Sequence, residues 1–419
     1  MKIKLGPPAG PYFCSSGGYL ASGPISLVRH LFRYRFTWLV LIGLGLSVLL
    51  GERVPAGSWS LAPLLALTVP LWLVLVALVL LYWLRRNWRV ALLPLAALLL
   101  AWPQVQRGLP LHLGSAAQSQ LTQELPRRPK APRTTHRAPS TTLRLLSYNV
   151  RIFNLYPQLR QLDPTAPAKA IAWLATSPAD VLCLQEYYQE PPGTHSADGR
   201  LFQVGERLGP GSGRQVFVSK TLTNSIGAEF GLAIFSRLPI VGRGEISFGR
   251  LTQNHAMWVD VVGPGRGDTV RIFNTHLQSM SLDEGDIVAA GSSRAGFERK
   301  GRGLLGRFVR GAAARAWQAD TLVAHVRRSP YPVLLAGDLN DLPYSYAYSQ
   351  LASELQNAWA TVGFGLGNTY HGRLPPLLRI DQQFAGPQWQ VLACRIHSEI
   401  PYADHFPVEG LYQLGHKGK

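Results

Sequence analysis

Apolar and polar positions are distributed in two different ways along the 419-residue chain. In its first quarter they segregate into long blocks. Residues 36–51, 54–84 and 90–106 carry no charge, and charged residues bracket each block: Arg35 and Glu52, Arg53 and Arg85, Arg89 and Arg107. A helix needs roughly 20 apolar residues to cross a bilayer. The middle block meets this with LAPLLALTVPLWLVLVALVLLYWL at 61–84, whereas the first and third are short and need tilt or snorkelling flanks. Trp38, Trp72, Trp83 and Trp102 stand mostly near block ends, as interfacial anchors do. The pattern predicts two to three transmembrane helices over 36–106, behind an N-terminal segment 1–35. A signal peptide at 29–51 followed by a buried helical hairpin is the competing reading. It requires an unusually long leader, and no clear small-x-small cleavage site follows.

From residue 143 the pattern changes to short apolar runs that end in polar residues. Strands are expected at 143–150, 180–186, 232–236, 256–262, 269–277, 332–340, 379–386, 391–396 and 404–414. Helices are expected at 168–176 and about 302–327. Many strands, few helices and hairpin-like connections suggest an α+β sandwich of two packed sheets, whose polar strand ends converge on one rim. Residues 107–142, rich in Gln, Pro, Arg, Ser and Thr, read as a linker between the helices and a domain at 143–419.

Charge sharpens this division. The net charge of +18 resembles a nucleic-acid binder, but residues 1–140 hold 15 Lys/Arg against 2 Asp/Glu. Residues 141–419 hold 27 against 22, so global charge gives no argument for nucleic acid. Lys2, Lys4, Arg29, Arg33 and Arg35 precede the first block, and Arg85, Arg86 and Arg89 fill the second turn. The positive-inside tendency then places the N-terminus in the cytoplasm. Three crossings put the C-terminal domain outside the cytoplasm, as in a multi-pass inner-membrane protein. If residues 90–106 only lie on the surface, that domain is cytoplasmic. Arg127, Arg128, Lys130, Arg133 and Arg137 of the linker are either solvated or held against anionic headgroups. Cys14, Cys183 and Cys394 form no CxxC pair, which removes a zinc ribbon or a disulfide scaffold. The apolar blocks contain no internal charge to mark a transport pathway.

The polar strand ends supply the parts that phosphodiester hydrolysis needs: a metal, a base for water, and donors to the phosphoryl group. Magnesium takes oxygen ligands and keeps several waters, so a few carboxylates and an amide suffice. Asn149 ends the SYNV strand, where it either binds a hard cation, orients a carboxylate, or makes a turn. Glu186 follows a buried apolar run, an expensive place for an acid without a partner. His276 ends RIFNTH beside Asn274 and is either structural or a phosphate-facing donor. In GDLND, Asp338 and Asn340 are two apart, which on one strand would give them one face. Asp338 can then accept a proton from water while Asn340 holds that water or the phosphoryl oxygen. Asp341 reads as turn chemistry. Asp381 lies in RID, and Asp404 and His405 adjoin in ADHFPV. As strand neighbours facing opposite ways, Asp404 suits the metal and His405 the phosphate, with Asp381 able to orient the imidazole.

NV, QE, NTHL, GDLND, RID and DHFPV occur in this order over about 143–414. Together with GLAIFSRLPIVGRGEIS (231–247), they resemble the endonuclease/exonuclease/phosphatase superfamily, the DNase I-like fold. The apolar blocks and basic linker resemble a membrane-tethered bacterial subgroup of it. The resemblance implies a four-layer α/β sandwich, Mg2+ or Mn2+ dependence and hydrolysis of a phosphate ester. It implies metal contacts from Glu186 with Asn149 and Asp404 nearby, and Asp338 as water-positioning base beside Asn340. His276 and His405 would stabilise the phosphoryl transition state, with Asp381 orienting His405. The chain departs from the pattern at Gln382 and Gln383, where an aromatic and an aliphatic residue are common, and at Ala403, where Ser is common. These departures bear on substrate preference.

Between NTHL and GDLND, residues 294–315 contain seven basic residues and one acid.

 The seven are Arg294, Arg299, Lys300, Arg302, Arg307, Arg310 and Arg315, and the acid is Glu298. Leu304, Leu305, Phe308 and Val309 fit one helical face, so the stretch is either a solvated basic face or a grip on an anionic membrane or polyanion. The expected protein is a membrane-anchored metal-dependent phosphodiesterase. Its partners are the lipid bilayer and a phosphodiester, either nucleic acid or a phospholipid headgroup. The alternatives are an inositol-phosphate-type phosphatase and a catalytically silent scaffold of the same fold. No protein partner or oligomeric state is implied.

Overall fold

A computed structural model describes residues 24–112, 142–160, 163–194, 200–249, 254–263, 268–279, 302–372 and 377–415. Lys2, Lys4, the basic linker residues Arg127 to Arg137, and Arg294, Arg299 and Lys300 lie outside the described residues.

The apolar blocks fold as four helices. α1 (Pro24–Arg53) and α2 (Ala62–Arg86) are long and apolar enough to cross a membrane. The third block is broken: α3 (Trp88–Leu100) and α4 (Trp102–Gly108) meet at a 62° bend. Pro103, at the start of α4, has no N–H for the preceding turn, and its ring disfavours helical geometry in the residue before it. Between α1 and α2 the polar groups pair with each other. Trp83 Nε1 donates to Thr37 Oγ1 at 2.9 Å, and the Ser47 and Thr68 hydroxyls are 2.9 Å apart. The opposite faces expose Leu39, Ile42, Leu71, Val74 and Leu78, an apolar surface that water would penalise.

Among the described residues, the rest of the chain builds two mixed sheets of six strands each. The first has the order β11-β12-β1-β2-β4-β3. Its strands are β1 (Thr142–Asn149), β2 (Val181–Gln189), β3 (Gln215–Thr223), β4 (Glu229–Ser236), β11 (Trp389–Ile396) and β12 (Val408–Leu414). The second has the order β5-β6-β7-β8-β10-β9. It comprises β5 (Ile240–Ser247), β6 (His255–Val262), β7 (Thr269–His276), β8 (Val333–Asp338), β9 (Gln356–Asn357) and β10 (Asp381–Ala385). Each sheet holds one parallel pair, β1/β2 and β7/β8. Parallel neighbours need a crossover, supplied by α5 (Ala166–Thr176) and α7 (Arg302–Arg327). The shorter α6 (Val204–Leu208), α8 (Tyr346–Glu354) and α9 (Ala358–Val362) complete the domain.

Both faces of each sheet are covered, which is why the central strands read as continuous apolar runs. Leu145, Cys183 and Ile234 of one sheet meet Met257, Ile272 and Leu334 of the other. Leu146 and Leu182 face outward onto Ile171 and Leu174 of α5. Phe273 and Leu335 face outward onto Leu322 of α7 and Leu351 of α8. The layers run helix, sheet, sheet, helix, the four-layer α/β sandwich that was expected.

The ends of the elements differ from expectation where polar residues intervene. The strand expected at 332–340 stops at Asp338, and that expected at 404–414 begins at Val408. The expected strands omit β3, an edge strand with several polar exposed positions, and the two-residue β9, and the expected helices omit the short α6, α8 and α9. Residues 107–112, expected to begin a linker, pack on the sandwich. Leu111 pairs with Phe364, the Gly365 N–H donates to the Pro110 carbonyl at 2.9 Å, and His112 Nε2 is 3.1 Å from the Ala360 carbonyl.

Candidate active site

Strand register assembles the centre of the site. In the second sheet His276 of β7 lies beside Asp338 of β8, and Asp338 beside Asp381 of β10. Three motifs far apart in sequence thus become neighbours at one rim. Gly337 permits the approach: its φ is 151°, and a Cβ there would lie 1.9 Å from the Thr275 carbonyl oxygen. In the first sheet Asn149 and Gln185 form the last paired position of β1 and β2, with Glu186 next. Asn149 spans the two sheets. Its Nδ2 donates to Asp338 Oδ2 at 3.0 Å and to Glu186 Oε1 at 3.2 Å, while its Oδ1 accepts the Arg151 N–H at 3.1 Å.

Asp404 and His405 enter from the segment before β12. His405 Nδ1 is 2.8 Å from Asp381 Oδ2, and its Nε2 is 3.8 Å from Asp338 Oδ2. Asp404 Oδ2 lies 3.1 Å from Arg151 Nε. His276 Nε2 stands 3.8 Å from Asp338 Oδ2 and 3.9 Å from Glu186 Oε1, too far for hydrogen bonds. That nitrogen and Asp381 Oδ1 are buried without a hydrogen-bond partner. All eight residues singled out in the sequence therefore gather at this rim, although four reach it by unexpected routes.

The expectation that Asn340 shares a strand face with Asp338 fails, because the strand has already ended. Asn340 has a left-handed φ of 51°. Its N–H donates to Asp338 Oδ1 at 2.7 Å and its Nδ2 to the Leu277 carbonyl at 3.0 Å, an aspartate-initiated turn that braces the carboxylate. Glu186 does not end its strand. It sits in a β-bulge, with φ 48°, where the register to β4 shifts between Leu184 and Tyr187. A bulge re-aims a side chain without ending the sheet. Asp404 and His405 are not on a strand, so alternation does not separate them; the hydrogen bond to Asp381 and the ion pair to Arg151 do. Asp341 does more than make a turn: its Oδ1 accepts the Leu342 N–H at 3.1 Å, and its Oδ2 pairs with Arg315 Nε at 2.8 Å. Arg315 is fully buried, unlike a solvated or polyanion-gripping residue of the basic stretch.

Several structural residues carried no clear sequence signal. Arg151, Ile152, Phe153 and Asn154 all have φ between 47° and 51°. Left-handed geometry costs L-residues about 1–2 kcal/mol each. Phe153 is buried, and Asn154 Nδ2 donates to the Tyr402 carbonyl at 2.7 Å, contacts that offset the cost and aim Arg151 at Asp404. Beneath the site, Gln185 Nε2 donates to Asn274 Oδ1 at 2.6 Å, and Asn274 Nδ2 donates to the Leu184 carbonyl at 2.9 Å. The atypical Gln383 donates to the Val408 carbonyl at 2.8 Å and accepts from Tyr412 Oη at 2.5 Å. Gln382 donates to the Arg379 carbonyl at 2.7 Å and accepts from Asn357 at 3.0 Å. Both departures are thus buried struts turned into the fold.

The charges are strongly coupled. Burial, with Asp381 adding to it, raises the Asp338 carboxyl above its ordinary range against the pull of His405 and His276. Burial would lower the His405 imidazole, but Asp381, Asp338 and Asp404 together hold it well above its usual value. Asp404 is raised mainly by burial and further by Glu186, with His405 and Arg151 opposing. Asp338, Asp381 and His405 bring possible metal-ligating atoms within 4.8 Å of one another. The His405–Asp381 hydrogen bond occupies one imidazole nitrogen of that trio, and the other, Nε2, faces Asp338.

The family model described as Endonuclease/Exonuclease/phosphatase family matches residues 146–405. A second model, a domain of unknown function (DUF8431), matches residues 29–108. No curated protein matches the chain. Among solved structures, the endonuclease/exonuclease/phosphatase from Bacteroides vulgatus is similar, with 16% identity, a TM-score of 0.49, and coverage of 66% of this chain and 100% of that one. The corresponding protein from Beutenbergia cavernae DSM 12333 gives 21% identity and a TM-score of 0.47, covering 65% and 72% of the two chains. The human Nocturnin catalytic domain gives 17% identity and a TM-score of 0.46, covering 65% and 93%. The chain belongs to the endonuclease/exonuclease/phosphatase family.

Proposed function

We propose that the chain is a membrane-anchored, divalent-metal-dependent phosphodiesterase. The supporting observation is the single cluster in which Asn149 joins the Glu186 and Asp338 carboxylates while His276 keeps a buried, unpartnered nitrogen beside both. Four carboxylates, two of them raised in pKa by burial, are a costly arrangement unless cations balance them. The oxygen-rich set suits Mg2+ or Mn2+, held by Glu186 and Asp404 with Asn149 orienting. Such an ion supplies positive charge against the phosphoryl oxygens.

The chain's own residues do the rest. Asp338, braced by the Asn340 N–H, takes a proton from the attacking water. His276 and His405 donate to the phosphoryl oxygens, and Asp381 fixes the His405 ring by its Nδ1. Topology supports an extracytoplasmic site. Arg85, Arg86 and Arg89 lie at the α2–α3 turn, while the α1–α2 turn and α4 meet at the other end, where Arg107 Nη1 pairs with Glu52 Oε2 at 2.9 Å. The sandwich sits at that second end, opposite the arginines that favour the cytoplasm.

The test uses the full chain in detergent with a bis-aryl phosphodiester. Turnover is expected with Mg2+ or Mn2+, and is expected to vanish with chelator and in Asp338→Ala and His405→Ala. Activity that survives chelation or both substitutions overturns the reading. Faster turnover of a phosphomonoester would replace the diesterase by a phosphatase.

A further inference from the structure

We infer that the catalytic rim lies against the bilayer surface and that the substrate is a phosphate diester of a membrane lipid, reached through the headgroup layer. This rests on the hydrolase reading above and adds the substrate class to it. The chain leaves Asp338 and Asn340 and within a few residues reaches the membrane helices. Asp341, Leu342 and Tyr346 line one side of a small cavity whose other side is Gly51, Val54 and Pro63 at the α1–α2 turn. Tyr344 is buried in the helix cluster with Val69 and Ala101. The end of the spanning helices and the catalytic end of β8 are therefore one junction.

The junction is clasped. Glu52 Oε2 accepts from Arg107 at 2.9 Å and from Gln104 at 3.1 Å, and Arg107 also donates to Ser349 Oγ of α8 at 3.1 Å. The buried guanidinium of Arg379 donates to the Arg107 carbonyl and to the Leu366 carbonyl. Arg379 stands two residues before Asp381, so the clasp reaches the segment that orients His405. These contacts fix the direction the rim faces relative to the helices.

Exposed apolar side chains mark the same end. Leu109 and Leu111 follow α4, and Leu111 pairs with Phe364. Phe364 is 58% and Leu366 52% exposed. Free in water, such a patch is unfavourable; beside the end of two spanning helices it meets the headgroup–acyl boundary. Arg310, exposed in the first turns of α7, adds positive charge suited to anionic headgroups.

Hydrolysis joins the oxygen of water to phosphorus and breaks the P–O bond to the leaving alcohol. One water proton goes to Asp338, which releases it to solvent, and a proton from solvent reaches the departing oxygen, giving a phosphomonoester and an alcohol. The experiment places the full chain in nanodiscs of phosphatidylcholine, phosphatidylethanolamine, phosphatidylglycerol and sphingomyelin with Mg2+ or Mn2+. Lipid phosphomonoester or released phosphorylated headgroup is followed by 31P NMR, against a single-stranded oligonucleotide and a bis-aryl phosphodiester. At least one lipid is expected to turn over about tenfold faster than the oligonucleotide at equal diester concentration. Phe364→Asn with Leu366→Asn is expected to cut lipid turnover about tenfold and leave bis-aryl turnover within twofold. No lipid turnover, a faster oligonucleotide, or an unchanged double variant overturns the inference. A dye at Leu366→Cys in a Cys14→Ser background is expected to be quenched by spin-labelled lipid. Absence of quenching overturns the placement whatever the activity, whereas failure on the bis-aryl ester alone speaks against the hydrolase reading.

Discussion

The two halves of the candidate site are built by opposite means. In the inner half, the Asp338 side chain is 1% exposed and that of His405 7%; strand register sets Asp338 beside Asp381, and the Asp381 carboxylate holds the His405 ring. In the outer half, Glu186 is 37% and Asp404 18% exposed, and a bulge and a loop present them. Buried charges on neighbouring strands cannot relax, so they perturb each other's protonation. Half-buried carboxylates on irregular backbone keep solvent on one side and leave room for a hydrated cation. Under the proposed hydrolase mechanism, the contrast assigns proton transfer to the inner half and cation binding to the mouth.

The largest effect that can break this comparison comes from matched isosteric substitutions in the two halves. Asp338→Asn removes the base and is expected to lower kcat by roughly 10³-fold. Raising Mg2+ should not restore it. Glu186→Gln is expected to lower activity at limiting metal by about 10–100-fold, the usual scale for perturbing a metal site. Here the rate should recover as metal is raised. Full kinetics against metal concentration check both, and recovery of Asp338→Asn by metal would erase the division.

This division also explains how far the sequence could be read. Asp338 was visible because it ends a buried apolar strand, where strand periodicity and the cost of burial both speak, whereas the roles of Asp381 and His276 came from the resemblance. The two packed sheets were legible for the same reason as Asp338, and the four layers came from the resemblance. Asn340 reached the site although the strand argument for it was wrong, because its geometry is a left-handed turn set by Asp338. The Glu186 bulge depends on the partner strand, where Gly231 with φ 158° faces Tyr187, a relation no local pattern carries. Arg315 reads as one more member of a basic run, yet it is buried on Asp341, because helical phase and not composition decides which arginine turns inward. The left-handed turn at 151–154 lacks glycine and so lacks the usual mark of positive φ.

A smaller effect tests coupling within the inner half. Asp381 raises both Asp338 and His405. Activity that needs Asp338 ionised rises with pH through its raised pKa, and activity that needs His405 protonated falls through its raised pKa. Asp381→Asn removes a raising charge from each, so both limbs of the kcat/KM profile should move to lower pH. Movement of the alkaline limb alone would separate Asp338 from the acid limb and weaken its assignment as base.

The smallest effect addresses the outer half. Arg151 lies 3.1 Å from Asp404, with its side chain 38% exposed. An ion pair so open to water contributes about 0–1 kcal/mol, up to roughly a fivefold effect. If Asp404 receives a cation, Arg151 competes with that cation for the carboxylate. Arg151→Met should then lower the metal concentration giving half-maximal rate by about two- to fivefold. At saturating metal kcat should change little, because the left-handed turn is held by Phe153 and Asn154 and not by the ion pair. Should Arg151 instead bind the substrate phosphate, KM for the diester rises while the metal dependence stays put. Titrating Mg2+ at fixed substrate, then substrate at fixed Mg2+, separates these outcomes, and an unchanged metal dependence would remove Asp404 from the cation's surroundings.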